Sequence, residues 1–164
     1  MPDLEQRLRQ IEDRAALYDV LMAYYVAVDT MSDLDGLIET FTEDAVCDFT
    51  GLGLPRYQGR SAIREFFVTV FEGVTHHAHH LSNFRVSRLA DNDATGHAYV
   101  IGRAKARSGM DVFVSCYIDI EYVRTGTGWK MKTFTEGSLM PLASEVAQLH
   151  GQNRASGVTP DARV

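Results

Sequence analysis

Four of the six histidines of this chain fall within five residues, His76, His77, His79 and His80. Imidazole titrates near neutral pH and, when neutral, ligates metals, so the cluster offers either a general base or a set of ligands. Metal binding is poorly served. In a strand, neighbours point to opposite faces, and only His77 and His79 would share a side. Cys47 and Cys116 stand apart with no ligand spacing, and no paired acidic motif completes a set, so no metal is expected. A general base needs a carboxylate that fixes its tautomer and stabilises the imidazolium.

Asp29 is the candidate carboxylate. Ile11, Ala15, Tyr18, Met22, Tyr25 and Asp29 recur in steps of four and three, as one stripe of an α-helix. That stripe puts an acid on the buried side of the last helical turn, where the helix dipole also disfavours an anion. Two readings follow: the acid is paired and useful, or the helix has frayed there and the acid is solvated. Ser32 with Asp35 three residues later resembles a capping box for the next helix. Asp29 is then not needed as a cap, which favours the first reading. Spacing alone does not choose between His79 and His80.

The elements that must position these groups fall in two blocks. A helix is predicted over residues 4–30 and a short one from Ser32 to Phe41. A strand follows over Ala45–Thr50, then a loop from Gly51 to Gly59 containing Pro55. Ser61 is placed to cap a third helix, with Ile63, Phe66, Phe67, Val70 and Phe71 on its buried face and Gly73 at its end. The period then changes. His79–Leu89, Ala94–Ala106, Val112–Arg124 and Trp129–Leu139 read as four strands joined by turns of hairpin length, an antiparallel meander. Helices first and strands after indicate an α+β fold. The other sheet face also carries apolar residues, so a homodimer or higher homo-oligomer is expected.

Residues 1–142 are expected to form one domain. The pattern fades after Ala143, and 143–164 are expected to be a mobile tail. The composition is that of a soluble globular protein, 45% hydrophobic and 23% charged, and the formal charge of −6 argues against nucleic acid or an anionic membrane as partner. The charged N-terminus has no signal-peptide run and no segment is long enough for a membrane span, so a cytoplasmic location is expected.

Three local strings, in this order and spacing, give the chain a resemblance to a known family. They are Val28-Asp29 closing the first helix, His79-His80-Leu81-Ser82-Asn83-Phe84-Arg85, and Gly128-Trp129-Lys130-Met131 opening the last strand. Over residues 4–140 the chain resembles the SnoaL-like group of the nuclear-transport-factor-2-like superfamily, with scytalone dehydratase and lindane dehydrochlorinase as the nearest enzymes. The resemblance implies a cone-shaped, curved antiparallel sheet with about three N-terminal helices on its concave face, and a cavity closed by the first helix. It picks His79 over His80, with Asp29 as partner. It implies Tyr24 as a cavity-lining phenol able to act as acid, and Tyr25, Phe49, Asn83 and Tyr117 as candidate substrate-binding residues.

Phe49 replaces a pocket tyrosine of the dehydratase, Ala98 falls near its second histidine with His97 facing the other way, and Phe134 replaces an arginine of the dehydrochlorinase. The exact substrates of those enzymes are thereby disfavoured. Alternation puts Cys116, Ile118, Ile120 and Tyr122 on one face and Tyr117 and Asp119 on the other, without saying which is concave. The function implied is a cofactor-independent lyase or isomerase acting through an Asp–His dyad on a small apolar or cyclic substrate. The alternative is a non-catalytic small-molecule-binding or scaffolding domain; a third option is the small subunit of a ring-hydroxylating dioxygenase.

Overall fold

The structure, a computed structural model, describes residues 3–155. Helix α1 spans Leu4–Thr30 and α2 spans Leu34–Glu39; strands β1 (Phe41–Gly51) and β2 (Arg56–Gln58) lead into α3 (Arg60–Gly73). Four long strands follow, β3 (Val74–Leu89), β4 (Asp93–Ala106), β5 (Asp111–Thr125) and β6 (Gly128–Ser138), and then α4 (Ser144–Ala155). The long strands form the expected antiparallel meander.

The α+β class holds, but its expected details are corrected. The sheet is mixed: its order is β2-β1-β6-β5-β4-β3, and β1 runs parallel to β6. It is open, since its end strands β2 and β3 do not pair with each other, and it is not strongly curled into the cone expected. Only α1 and α2 precede the first strand; α3 follows β2 and α4 follows β6. Turn chemistry reports only sequence-adjacent pairing, and a parallel pair needs a long crossover that leaves no local signal. That is why β1 could be read as a strand while its partner could not.

Caps differ too. Asp33, not Ser32, caps α2, accepting from the Gly36 N–H at 2.8 Å. Gly59, at φ 82°, precedes α3 with no side-chain cap, and Ser61 lies inside that helix. The expected loop contains β2, paired with β1 at Cys47–Tyr57. Part of the expected tail is α4, where Val146 and His150 are buried; residues 156–164 lie outside the described residues.

The stripe on α1 is also corrected. Its buried face runs through Leu17, Leu21, Tyr24 and Val28, while Ile11 and Tyr18 are exposed. Apolar residues lie almost all round this helix, so sequence steps alone match more than one stripe. Helix α1 is anchored at its middle by Asp13, which accepts from the Trp129 indole N–H at 3.0 Å and pairs with Arg124 at 2.7 Å. The Arg124 guanidinium lies 4.3 Å from the Trp129 ring centre. Burial works to raise the Asp13 pKa, but its bonds to Arg124 and Trp129 hold it below the ordinary value.

The inner sheet face meets α1 and α3 in an aromatic layer. Phe134 of β6 lies 5.0 Å from Tyr24, ring centre to ring centre, and Tyr24 lies 5.9 Å from Phe67 of α3. Cys116, Ile118, Ile120 and Tyr122 all point into this layer. The outer face leaves Tyr99, Ile101 and Phe113 exposed. Among the described residues, no helix is long and apolar enough to cross a membrane.

Candidate active site

Helix α1 is still wound at Asp29, since its cap is Met31, at φ 54°, whose N–H donates to the Ala27 carbonyl at 2.9 Å. The side chain of Asp29 therefore has a fixed direction, and it meets β3. The His79 ring Nδ1 lies 2.5 Å from Asp29 Oδ1, and the His79 backbone N–H donates to Oδ2 at 3.0 Å. A carboxylate accepts only, so Nδ1 carries the proton and Nε2 of the neutral ring presents a lone pair. Burial works to raise the Asp29 pKa. The ring and backbone hydrogen bonds from His79, with its charge, outweigh that and hold the acid below its ordinary range. The pair is half-buried, His79 16% and Asp29 29% exposed.

His79 opens onto a cavity of about 220 Å³. Its walls are mainly apolar, with Phe49, Leu54, Phe66, Phe67, Val112 and Val114 among them. Tyr24 lines it, as expected, and burial pushes its phenol well above the usual pKa, so it stays a neutral donor. Tyr25 is buried with its hydroxyl unpartnered, its ring centre 5.0 Å from that of His79; it packs against the base and does not line the cavity. Asn83 sits at φ 56° in an irregular part of β3, exposed and off the cavity wall. Tyr117 is on the outer face, its ring filling the space over Gly137 where a Cβ would stand 2.5 Å away. Asn83 and Tyr117 are thus both away from the place expected for them.

The histidine cluster divides as strand alternation requires. His77 and His79 share the inner side, ring centres 5.5 Å apart, and both line the cavity; His76 and His80 are exposed. Burial, with the charge of His79 adding to it, lowers the His77 pKa and keeps it neutral. His97 pairs with Asp119 at 2.7 Å on the outer face. Among the described residues, no three of His, Cys, Asp and Glu gather in a way that would hold a metal ion.

Three cavity groups carried no sequence signal as such. His77 looked like one member of a cluster. His150, from α4, lines the cavity and bonds its Nδ1 to the Leu52 carbonyl at 2.6 Å, which again leaves Nε2 as an acceptor. Glu136 of β6 lines it as well and is half-buried. Burial raises the Glu136 pKa, against the charge of His79 and a hydrogen bond with Cys116. Below the ordinary value of 4.5 the acid is neutral in both folded and unfolded chains. As pH rises the unfolded chain ionises first, and stability falls until the raised folded pKa is passed. Melts at pH about 4 and about 8 should therefore show Glu136→Gln gaining on the wild type at the higher pH; parallel curves would contradict the burial of this acid.

A glycine makes room for the base. Gly102 of β4 is the direct partner of His79, and a Cβ there would stand 3.2 Å from the imidazole and 2.9 Å from Val114. Gly102→Ala should push the ring off Asp29 and lower turnover on the order of 10²-fold, at a stability loss of about 1–3 kcal/mol. Equal turnover of the two proteins would show that the ring tolerates displacement.

A family model described as a SnoaL-like domain matches residues 9–135. A crystal structure from Novosphingobium aromaticivorans, provisionally named an aromatic ring hydroxylase, is 45% identical over 84% of this chain and 97% of its own, with a TM-score of 0.79. A hexachlorocyclohexane dehydrochlorinase from Novosphingobium barchaimii is 19% identical over 84% and 95% of the two chains, TM-score 0.73. A protein provisionally named a scytalone dehydratase, again from N. aromaticivorans, is 17% identical over 80% and 87%, TM-score 0.73. At such identities the last two speak for the fold alone. No curated protein matches.

Proposed function

The chain belongs to the SnoaL-like domain family, and from that premise we propose that it is a cofactor-independent lyase or isomerase. One observation carries the reading: Asp29 clasps His79 through both ring and backbone, and His79 lines a cavity. His79 takes a proton from a substrate carbon, and Asp29 stabilises the imidazolium that results. The electron pair released from that C–H bond either expels a leaving group from the adjacent carbon or returns to hydrogen elsewhere on the skeleton. Tyr24 donates a hydrogen bond to the substrate oxygen, and Phe49 supplies wall. Tyr25 braces the imidazole.

The cavity limits the substrate. Among the described residues no Lys or Arg lines it, so no permanent positive charge is there to pair with a carboxylate or phosphate. Its volume, about 220 Å³, exceeds the roughly 150 Å³ that suffices for benzene. An uncharged, substituted single ring carrying oxygen fits best. The exposed Tyr99, Ile101 and Phe113 on the outer face support a homo-oligomer in which a second copy covers them.

The test begins with native mass spectrometry of the purified protein, to identify any molecule it retains. That molecule is then incubated in D2O with the wild type and with His79→Ala. Deuterium entering the ligand, or its conversion, with the wild type only supports the reading. A ligand bound by both proteins and altered by neither makes this domain a binding module. A second reading has one observation behind it, the ring-hydroxylase name of the 45% identical relative. As an accessory subunit of such an enzyme the chain would need no dyad, and His79→Ala would leave hydroxylation by the assembled complex intact.

A further inference from the structure

Glu136 has no structural reason to be an acid. It sits on the inner face of β6, two residues beyond the core residue Phe134, and lines the same cavity as His79. No cation among the described residues lines that cavity, and the neighbour that opposes the effect of burial on its carboxyl, besides His79, is the Cys116 thiol, a weak donor. The titratable side chains facing it are Tyr24 and Tyr25 from α1, Cys47 from β1, Cys116 from β5 and His79 from β3, with His77 and His150 on the same cavity walls. None of these is a permanent positive charge. A half-buried carboxyl on the wall of a mainly apolar cavity, with no cation there, is costly as an anion and useful as an acid. Strand β6 is three strand spacings from β3 in the sheet order, about 14 Å between backbones. Glu136 and His79 reach inward from these two strands, with cavity between them.

We propose that Glu136 is the catalytic proton donor of this site, acting on the substrate oxygen while His79 acts on carbon. The proposal rests on the lyase or isomerase reading and adds the group that reading lacks; Tyr24 remains a hydrogen-bond donor that keeps its proton. For a ring ketone with a hydroxyl on the β-carbon, the balance is as follows. His79 Nε2 takes the α-proton, and the C–H pair becomes the C=C bond. The β C–O bond breaks with its pair going to oxygen, Glu136 gives that oxygen its proton, and water leaves. The imidazolium then returns a proton to the Glu136 carboxylate through solvent, so no oxidant or reductant is needed. Burial raises the Glu136 pKa and so favours the protonated form that can give its proton to that oxygen.

The probe is 3-hydroxycyclohexanone, with two readouts. Elimination to cyclohex-2-enone is followed by absorbance, and exchange of the α-hydrogens for deuterium is followed by NMR. Glu136→Gln is nearly isosteric with the neutral acid, and its melt checks the fold. It should slow elimination by about 10²–10⁴-fold and retain α-exchange, whereas His79→Ala should lose both. Wild-type elimination by Glu136→Gln, with His79→Ala inactive, removes Glu136 from the mechanism and leaves the dyad standing. Wild-type exchange by His79→Ala removes the dyad itself. An infrared difference spectrum needs no turnover: a protonated-carboxyl stretch present in the wild type and absent in Glu136→Gln should move when cyclohex-2-enone is added. A missing or unmoved band overturns the proposal.

Discussion

Asp29→Asn is expected to lower turnover by about 10²–10⁴-fold, nearly as far as His79→Ala, with the fold intact. The carboxylate has two tasks at once. Oδ2 accepts from the His79 backbone N–H, and Oδ1 accepts from the ring. Asparagine keeps one acceptor for the backbone and turns its NH2 towards the ring. Nδ1 must then accept, the proton moves to Nε2, and the lone pair that made Nε2 a base is lost. The melting temperature should change little, because the backbone bond survives. Because both residues serve one proton transfer, the Asp29→Asn/His79→Ala double variant should be no slower than His79→Ala. Multiplying penalties in the double variant would mean that the two residues act independently and that no dyad exists.

The legible parts of this molecule were those with local causes. The four meander strands were marked by alternation and by turn sequences such as Asp91-Asn92-Asp93, and they are present to within a few residues, except that β3 begins five residues early, at Val74. Asp29 and His79 are fifty residues apart in sequence; the helix stripe offered Asp29 as the carboxylate for a histidine of the cluster, and family resemblance then picked His79 over His80. Even so, the stripe used to argue that Asp29 is buried was partly the wrong one, for Ile11 and Tyr18 are exposed. The acid lies at the margin of the true face, whose nearest buried member is Val28. The β1–β6 pairing and the return of α4 to the cavity were invisible because both are set by tertiary contacts. Glu136 was invisible for another reason. In Thr133-Phe134-Thr135-Glu136 it reads as one more polar residue near a strand end, and only the enclosing α1 and β5 make it unusual.

Phe134→Ala should be the most damaging core substitution that also bears on the site. Phe134 is fully buried at the centre of β6, paired across to Ile120 on one side and Cys47 on the other. Its ring stands 5.0 Å from Tyr24 and 6.0 Å from Phe49, so the helix that carries Asp29 and the strand that carries Phe49 both lean on it. Truncation removes the transfer energy of a phenyl group and leaves a hole that close packing fills only in part, a loss of about 3–5 kcal/mol. For a chain of this size that corresponds to a fall in melting temperature of roughly 6–20 °C. Turnover should drop as well, because Tyr24 loses the surface that aims it into the cavity. Added benzene separates the two effects. By occupying the new apolar hole it should recover part of the melting temperature in the variant and leave the wild type nearly unchanged. An unshifted melting temperature in Phe134→Ala would mean that α1 is held on the sheet by the Asp13–Arg124–Trp129 contact alone, and that the aromatic layer is filling and not support.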